Sequence, residues 1–299
     1  MNIYINEEKK RPVSTSAVVR IIIWSLVLCV FVTLLAVGLS SKSEGMFFGI
    51  SLNSFYYDDS GYSVGDGTSS ARITDITVDW ISGSVTIVPA EGDEISIADD
   101  YRGEDSDLAV RWKVQDGELT VKYRAPSLIQ SQIVDKNLTL AIPVAMLEGL
   151  GEVEINGVDC DIHFAGNADE LALEVVEGSL AVQGDIGELE IDAVNGTLDF
   201  KGAVRKASVD CVDVAIVMEL DMATELNFDQ VDGDVTLYLS EAITGFSAEL
   251  DMVGGNLILE GFEGATSTGR ESARWGDGSL RIRMDGVNCQ LKVNKATND

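Results

Sequence analysis

At 299 residues and 45% hydrophobic content, the chain has enough apolar material for a sizeable core and is not a disordered polymer. Against 50 Asp and Glu stand only 21 Lys and Arg, a formal charge of −29, which repels nucleic acid and anionic headgroups and excludes a nucleic-acid-binding role. Glycine is abundant at 29 and proline scarce at 4, a balance suited to frequent tight turns between strands.

Residues 1–20 form a short tail carrying Lys9, Lys10, Arg11 and Arg20. An uncharged apolar run, residues 21–39, follows, long enough as a helix to cross ~30 Å of hydrocarbon. Basic residues before the run and acidic ones after it predict a cytoplasmic N-terminus, a single-pass transmembrane helix in the cell membrane, and an extracytoplasmic bulk. The alternative is a cleaved signal peptide, with Ala36-Val37-Gly38 as a small-x-small site, although the apolar run exceeds the usual ~7–15 residues.

Residues 40–71 are rich in Ser, Gly, Asp and Tyr without a sustained period and read as a spacer. Its aromatic residues, Phe47, Phe48, Phe55, Tyr56 and Tyr57, suit docking onto the following domain, the headgroup layer or a partner surface.

From 72 to 295 alternation of apolar and polar residues dominates, with glycine between short runs. The front part, 72–150, is irregular and reads as a cap, with Trp80 and Trp112 placed to seal an open end. Regular coils fill 151–295. Leu171, Leu173 and Val175 precede Glu177-Gly178-Ser179, then Leu180 and Val182. Eighteen residues later, Leu189, Ile191 and Ala193 precede Asn195-Gly196-Thr197, then Leu198 and Phe200. Copies with Val153, Ile155, Ile162 and Phe164, and with Ala207, Val209, Ile216 and Met218, keep the same spacing, and later copies drift. Two short strands cannot bury an apolar face alone, so copies stack. Self-similarity near this period predicts an all-β, right-handed β-solenoid of roughly 18–22-residue coils. Trp275 is placed as a cap, with Gly286–Val293 closing the stack.

Cys29 lies in the apolar run. Cys160, Cys211 and Cys289 are odd in number and widely spaced, which predicts buried unpaired thiols rather than a disulfide framework or zinc site. Glu174, Asp192, Asp210 and Asp229, continued by Asp251, fall at one outward position of successive coils. Stacked carboxylates repel, so this acidic ladder either stays solvated and screened or recruits a hard cation such as Ca²⁺. Lys201, Arg205 and Lys206 cluster on one turn in the acidic field, where they balance charge or contact an anionic group. The only histidine, His163, falls at an outward strand position, and no phosphate loop, EF-hand, nonapeptide calcium array or nucleophile elbow occurs. No cofactor motif is present, and the chain reads as no enzyme.

The turns Ser82-Gly83-Ser84-Val85, Gly178-Ser179-Leu180, Gly196-Thr197-Leu198, Gly233-Asp234-Val235 and Gly278-Ser279-Leu280, with Leu138-Thr139-Leu140-Ala141-Ile142-Pro143 entering the regular coils, resemble the putative adhesin family of bacterial cell-envelope proteins. The glycine turn is lost at Val212-Asp213-Val214, a departure from that pattern. The resemblance covers about residues 73–293. It implies a membrane-anchored, non-enzymatic surface protein that binds a surface, glycan or protein ligand, and it supplies no catalytic residues. The alternatives are an envelope-stress sensor or regulatory subunit acting through a membrane partner, and then a polysaccharide-active enzyme using carboxylate pairs.

Overall fold

A computed structural model describes residues 60–101, 108–124, 133–268 and 272–296. The expected membrane helix (21–39), the tail and most of the spacer lie outside these residues. Among the described residues no helix is long and apolar enough to cross a membrane.

The described chain is all-β apart from one helical turn, α1 (Val144–Leu147). Its strands are β1 (Ser63–Val64), β2 (Gly67–Ser69), β3 (Asp75–Ala90), β4 (Ile95–Asp99), β5 (Arg111–Gln115), β6 (Glu118–Lys122), β7 (Lys136–Pro143) and β8 (Leu150–Ala165). They continue as β9 (Ala168–Gln183), β10 (Ile186–Leu239), β11 (Gly245–Val253), β12 (Asn256–Glu260), β13 (Thr266–Thr268), β14 (Ser272–Gly276) and β15 (Leu280–Lys295). All join one open sheet.

The eighteen-residue spacing is a pairing register. Leu171 sits beside Leu189, and Val153 beside Leu171, in parallel ladders running β8–β9–β10. Within each rung alternate side chains are buried, so Leu171, Leu173, Val175, Leu180 and Val182 enter a core that runs the length of the stack. Each such branched side chain contributes roughly 1.5–3 kcal/mol.

The alternation breaks at two corners per rung, and the first shows how. Between buried Val175 and buried Leu180, residues 176–179 all face out, so the strand turns a corner and its two legs present different faces. Glycine is required there by close approach: a Cβ on Gly178 would lie 2.1 Å from the Cys160 carbonyl oxygen, and one on Gly196 1.8 Å from that of Gly178. Where the glycine is absent, at Val214, the side chain is buried and its carbonyl accepts a hydrogen bond from Gln230 Nε2.

Chain order and spatial order part at both ends. β15 does not close the stack. It is inserted between the last leg pair of β10 and the β11–β12 rung, with Leu226 beside Ile282 on one side and Ala248 beside Ile282 on the other. Gly286–Val293 is therefore interior, because its apolar alternation finds partners on both edges. The front mirrors this arrangement. β3 pairs in parallel with β8 on one edge and with β6 and β7 on the other, so 72–150 contains a complete rung within its irregular cap.

Antiparallel strands cover the outer edges, with β4 on β7 and β5 on β6 at the front, and β14 on β11 with β13 on β14 at the back. Such cover blocks further edge pairing. Trp275 caps the back in an aromatic cluster with Phe246 and Phe262, its ring centroid 4.9 Å from that of Phe262. Trp80, expected at an open end, is instead buried at the corner of β3, where its indole N–H donates to the Lys136 carbonyl and its ring meets Tyr123 edge-on at 5.3 Å. A buried indole needs such an acceptor, and the corner supplies one. Trp112 does lie at the front, in the covering strand β5, donating to the Gly65 carbonyl.

Candidate binding surface

Because the legs alternate strictly, outward residues line up across rungs, and the two legs differ in charge. On the first leg, Glu118, Asp75, Glu152, Glu170 and Glu188 form one column through successive pairings. Burial and then the neighbouring Glu152, Glu190 and Glu188 raise the Glu170 carboxyl above its ordinary range. On the second leg the outward positions mix uncharged residues, as at Ser84, Thr86, Ser179, Ala181, Thr197 and Thr236, with charges of both signs, as at Asp161, Asp199, Lys201, Glu219 and Lys292. The first-leg face is thus the more acidic of the two.

The expected acidic ladder is present at the end of the first leg. Asp192 pairs with Glu174, Asp229 with Asp285, and Asp251 with Asp285. Asp210 belongs to the same column, one eighteen-residue step beyond Asp192. Asp285 is a member that chain-order reading missed, since only the insertion of β15 brings it between Asp229 and Asp251. Among the described residues no group of three or more His, Cys, Asp or Glu side chains is disposed to hold a metal ion.

The three clustered bases straddle the second corner, at Gly202. Lys201 lies on the second leg and pairs with Glu219 at 2.9 Å. Lys206 lies on the first leg of the next rung and pairs with Glu188. Those hydrogen-bonded carboxylates raise both lysines above their ordinary range, and Lys206 in turn lowers Glu188. Arg205 is exposed beside them, and His163 is exposed on β8. Both lysines thus bridge adjacent rungs, and the cluster is spread over two faces.

A feature absent from the sequence reading is a column of valines at the corner. Val158, Val176, Val194 and Val212 each stand at its first outward position, 48–51% exposed. Their flanking residues pair rung to rung, Val175 with Ala193 and Glu177 with Asn195. The column continues through Val231, Val287 and Val253, which the β10–β15 and β11–β15 pairings set side by side. Acids adjoin it on both sides, at Glu174, Asp192 and Asp210 before the valine and at Asp159, Glu177 and Asp213 after it.

The thiols of Cys160, Cys211 and Cys289 are buried and unpaired, as their spacing predicts, and burial pushes them up to about 12, 12 and 11. Such thiols are poor nucleophiles and poor metal ligands. At the front, a cavity of 510 Å³ is lined by Asp75, Lys113, Asp116, Glu118, Glu152 and Glu154, and it continues the acidic face.

The described residues define an all-β protein built on one open sheet. No family model matches it, and no curated protein matches it. It is similar to a solved structure named as a putative cell adhesion protein from Clostridium sporogenes ATCC 15579, at 9% identity, covering 78% of this chain and 100% of that one, TM-score 0.37. It is likewise similar to one named as a putative adhesin from Bacteroides fragilis NCTC 9343, at 14% identity, covering 77% and 97%, TM-score 0.45. A third, named as a putative lipid binding protein from Parabacteroides distasonis ATCC 8503, is 11% identical, covering 78% and 97%, TM-score 0.26. Proteins named as adhesins are thus among those the chain is similar to.

Proposed function

We propose that this protein is a membrane-anchored, extracytoplasmic, adhesin-like binding protein that catalyses no reaction. In this reading residues 21–39 cross the membrane, residues 1–20 stay in the cytoplasm, and the strands from 72 to 295 wind as a right-handed solenoid held outside by the 40–71 spacer. The observation that carries it is the concentration of acids on successive first legs, at Glu118, Asp75, Glu152, Glu170 and Glu188. Long faces of uniform character suit contact over a large area, where affinity comes from many modest interactions.

The test is retention of the full chain, in nanodiscs, on purified cell wall and immobilised glycans, with and without calcium. Retention without turnover of the glycan is expected, and a calcium requirement would assign the ladder of Glu174, Asp192, Asp210 and Asp229 as the contact. Loss of retention in the Lys201→Ser, Arg205→Ser, Lys206→Ser triple variant would assign that cluster to an anionic group instead. Failure to bind any of these surfaces would overturn the reading in favour of a regulatory subunit with a membrane partner.

A further inference from the structure

We propose that the valine-lined corner is a docking ridge for a cationic amphipathic helix of a partner protein. The proposal rests on the binding-protein reading above and deepens it by assigning the surface and the chemistry of its partner.

Val158, Val176, Val194 and Val212 are half exposed at positions where the chain has already left the flat leg of the sheet. Strand propensity does not demand valine there, since threonine has the same branched shape and comparable preference. Single exposed aliphatic residues need no explanation, but contiguous apolar surface does. Continuity is maintained even where chain order fails. β15 enters the stack out of sequence, yet it brings Val287 between Val231 and Val253. At ~4.8 Å per interstrand step, the column from Val158 to Val253 spans about 29 Å.

The flanks define the partner. Acids border the ridge on both sides, so anionic lipid, nucleic acid and a second copy of this chain, itself at −29, are all repelled. A cationic occupant is attracted along the whole length. Spacing selects its conformation. A helix advances about 5.4 Å per turn, close to the ~4.8 Å between valines, so its apolar stripe follows several rungs before drifting out of step. An extended strand laid along the ridge repeats each face only every ~6.8 Å and loses register at once. Lys or Arg on either side of that stripe then meets Glu174 and Asp192 on one flank and Glu177 and Asp213 on the other.

The experiment uses the full chain in zwitterionic nanodiscs and a synthetic helical peptide of about eighteen residues, ~27 Å long, with leucine on one face and lysine on both flanks. Binding is followed by fluorescence anisotropy, with the empty-disc signal subtracted. The helix is expected to bind, more weakly as salt rises, and the Val176→Thr, Val194→Thr, Val212→Thr variant is expected to weaken it by about tenfold. Val194→Lys, which sets a like charge in the middle of the ridge, should do the same while the melting transition stays in place. Equal affinity for the threonine variant, or for a scrambled peptide of identical composition, would overturn the proposal by reducing the attraction to charge alone. Absence of binding would overturn it as well. Neither result bears on retention by cell wall or glycan, so this inference and the broader reading fail separately.

Discussion

The ammonium of Lys136 stands 3.6 Å from the centroid of the Tyr123 ring and donates to the carbonyl oxygens of Leu108 and Arg124 at 2.7 and 3.0 Å. Those carbonyls end the segments that enclose β5 and β6, so one fully buried lysine ties the front of the stack together. Burial lowers its pKa to about 8, with Asp99 opposing the shift.

Replacing Lys136 by Met orphans two carbonyls and removes the positive charge facing the buried Asp99, and should cost about 2–4 kcal/mol at neutral pH in urea unfolding. The pH dependence has a definite sign. Between about pH 8 and the ordinary lysine range the unfolded lysine holds more protons than the folded one, so its contribution to stability rises with pH. The difference between wild type and Lys136→Met should therefore widen across that window, and a flat difference would refute the account.

Glycine at the corner is a matter of space. Gly196→Ala drives a Cβ to within 1.8 Å of the Gly178 carbonyl oxygen and should lose roughly 3 kcal/mol or more. Gly149→Ala meets nothing within 4 Å and should be close to neutral when melted alongside it.

Outside the Cys211–Val214 rung, where both positions carry buried side chains, the corner is filled by one of two arrangements. Val175 with Gly178 puts the bulk first, whereas Gly157 with Cys160 puts it second: a Cβ on Gly157 would lie 2.9 Å from that of Cys160. Gly286 and Cys289 repeat the second form, with the Cys289 sulfur 2.3 Å from the Cβ that Gly286 lacks. Gly157→Val should overpack and Cys160→Gly should leave a void, each costing about 1–3 kcal/mol. The double variant should recover most of that loss, and a double-mutant cycle measures the coupling. Additive losses would sink the idea.

Native Cys160, Cys211 and Cys289 should resist a thiol reagent until the protein unfolds, because burial raises all three well above the ordinary thiol range. Here the sign is opposite to that for Lys136. The unfolded thiols lose protons first as pH climbs past 9, so stability from this source falls above that point. Labelling at native stoichiometry by a maleimide at pH 7 would contradict the burial.

Much of this was legible in the residues. Alternation with a fixed eighteen-residue return specifies both the parallel register and the inward set from Val153 to Met218, since each copy carries its own partner's pattern. The acidic ladder followed from the same arithmetic. The threading of β3 and β15 was not legible, because a period names neighbours only for consecutive copies. The partners of Ile282 lie 34 and 56 residues earlier, in Ala248 and Leu226. The valine ridge was visible yet overlooked. Val176 follows Val175, and Val194 follows Ala193, so each was passed over as an ordinary outward neighbour of a core residue. Aligning the copies at eighteen residues would have shown an aliphatic side chain two places after each ladder acid. Trp80 misled for a related reason, its size suggesting an end cap where the corner of β3 had room for an indole and a carbonyl to receive its proton.

The insertion of β15 has a consequence for how such a molecule can be made and enlarged. A stack built strictly in chain order could settle rung by rung as it was made, and could gain or lose units at its tip. Here the β11–β12 rung has no parallel neighbour until β15 arrives, so that end stays unfinished while the rungs before it are already complete. Growth by duplication is confined to the interior, among units such as β8 and β9 that already match their neighbours. The two ends behave as a fixed clasp around a middle of adjustable length.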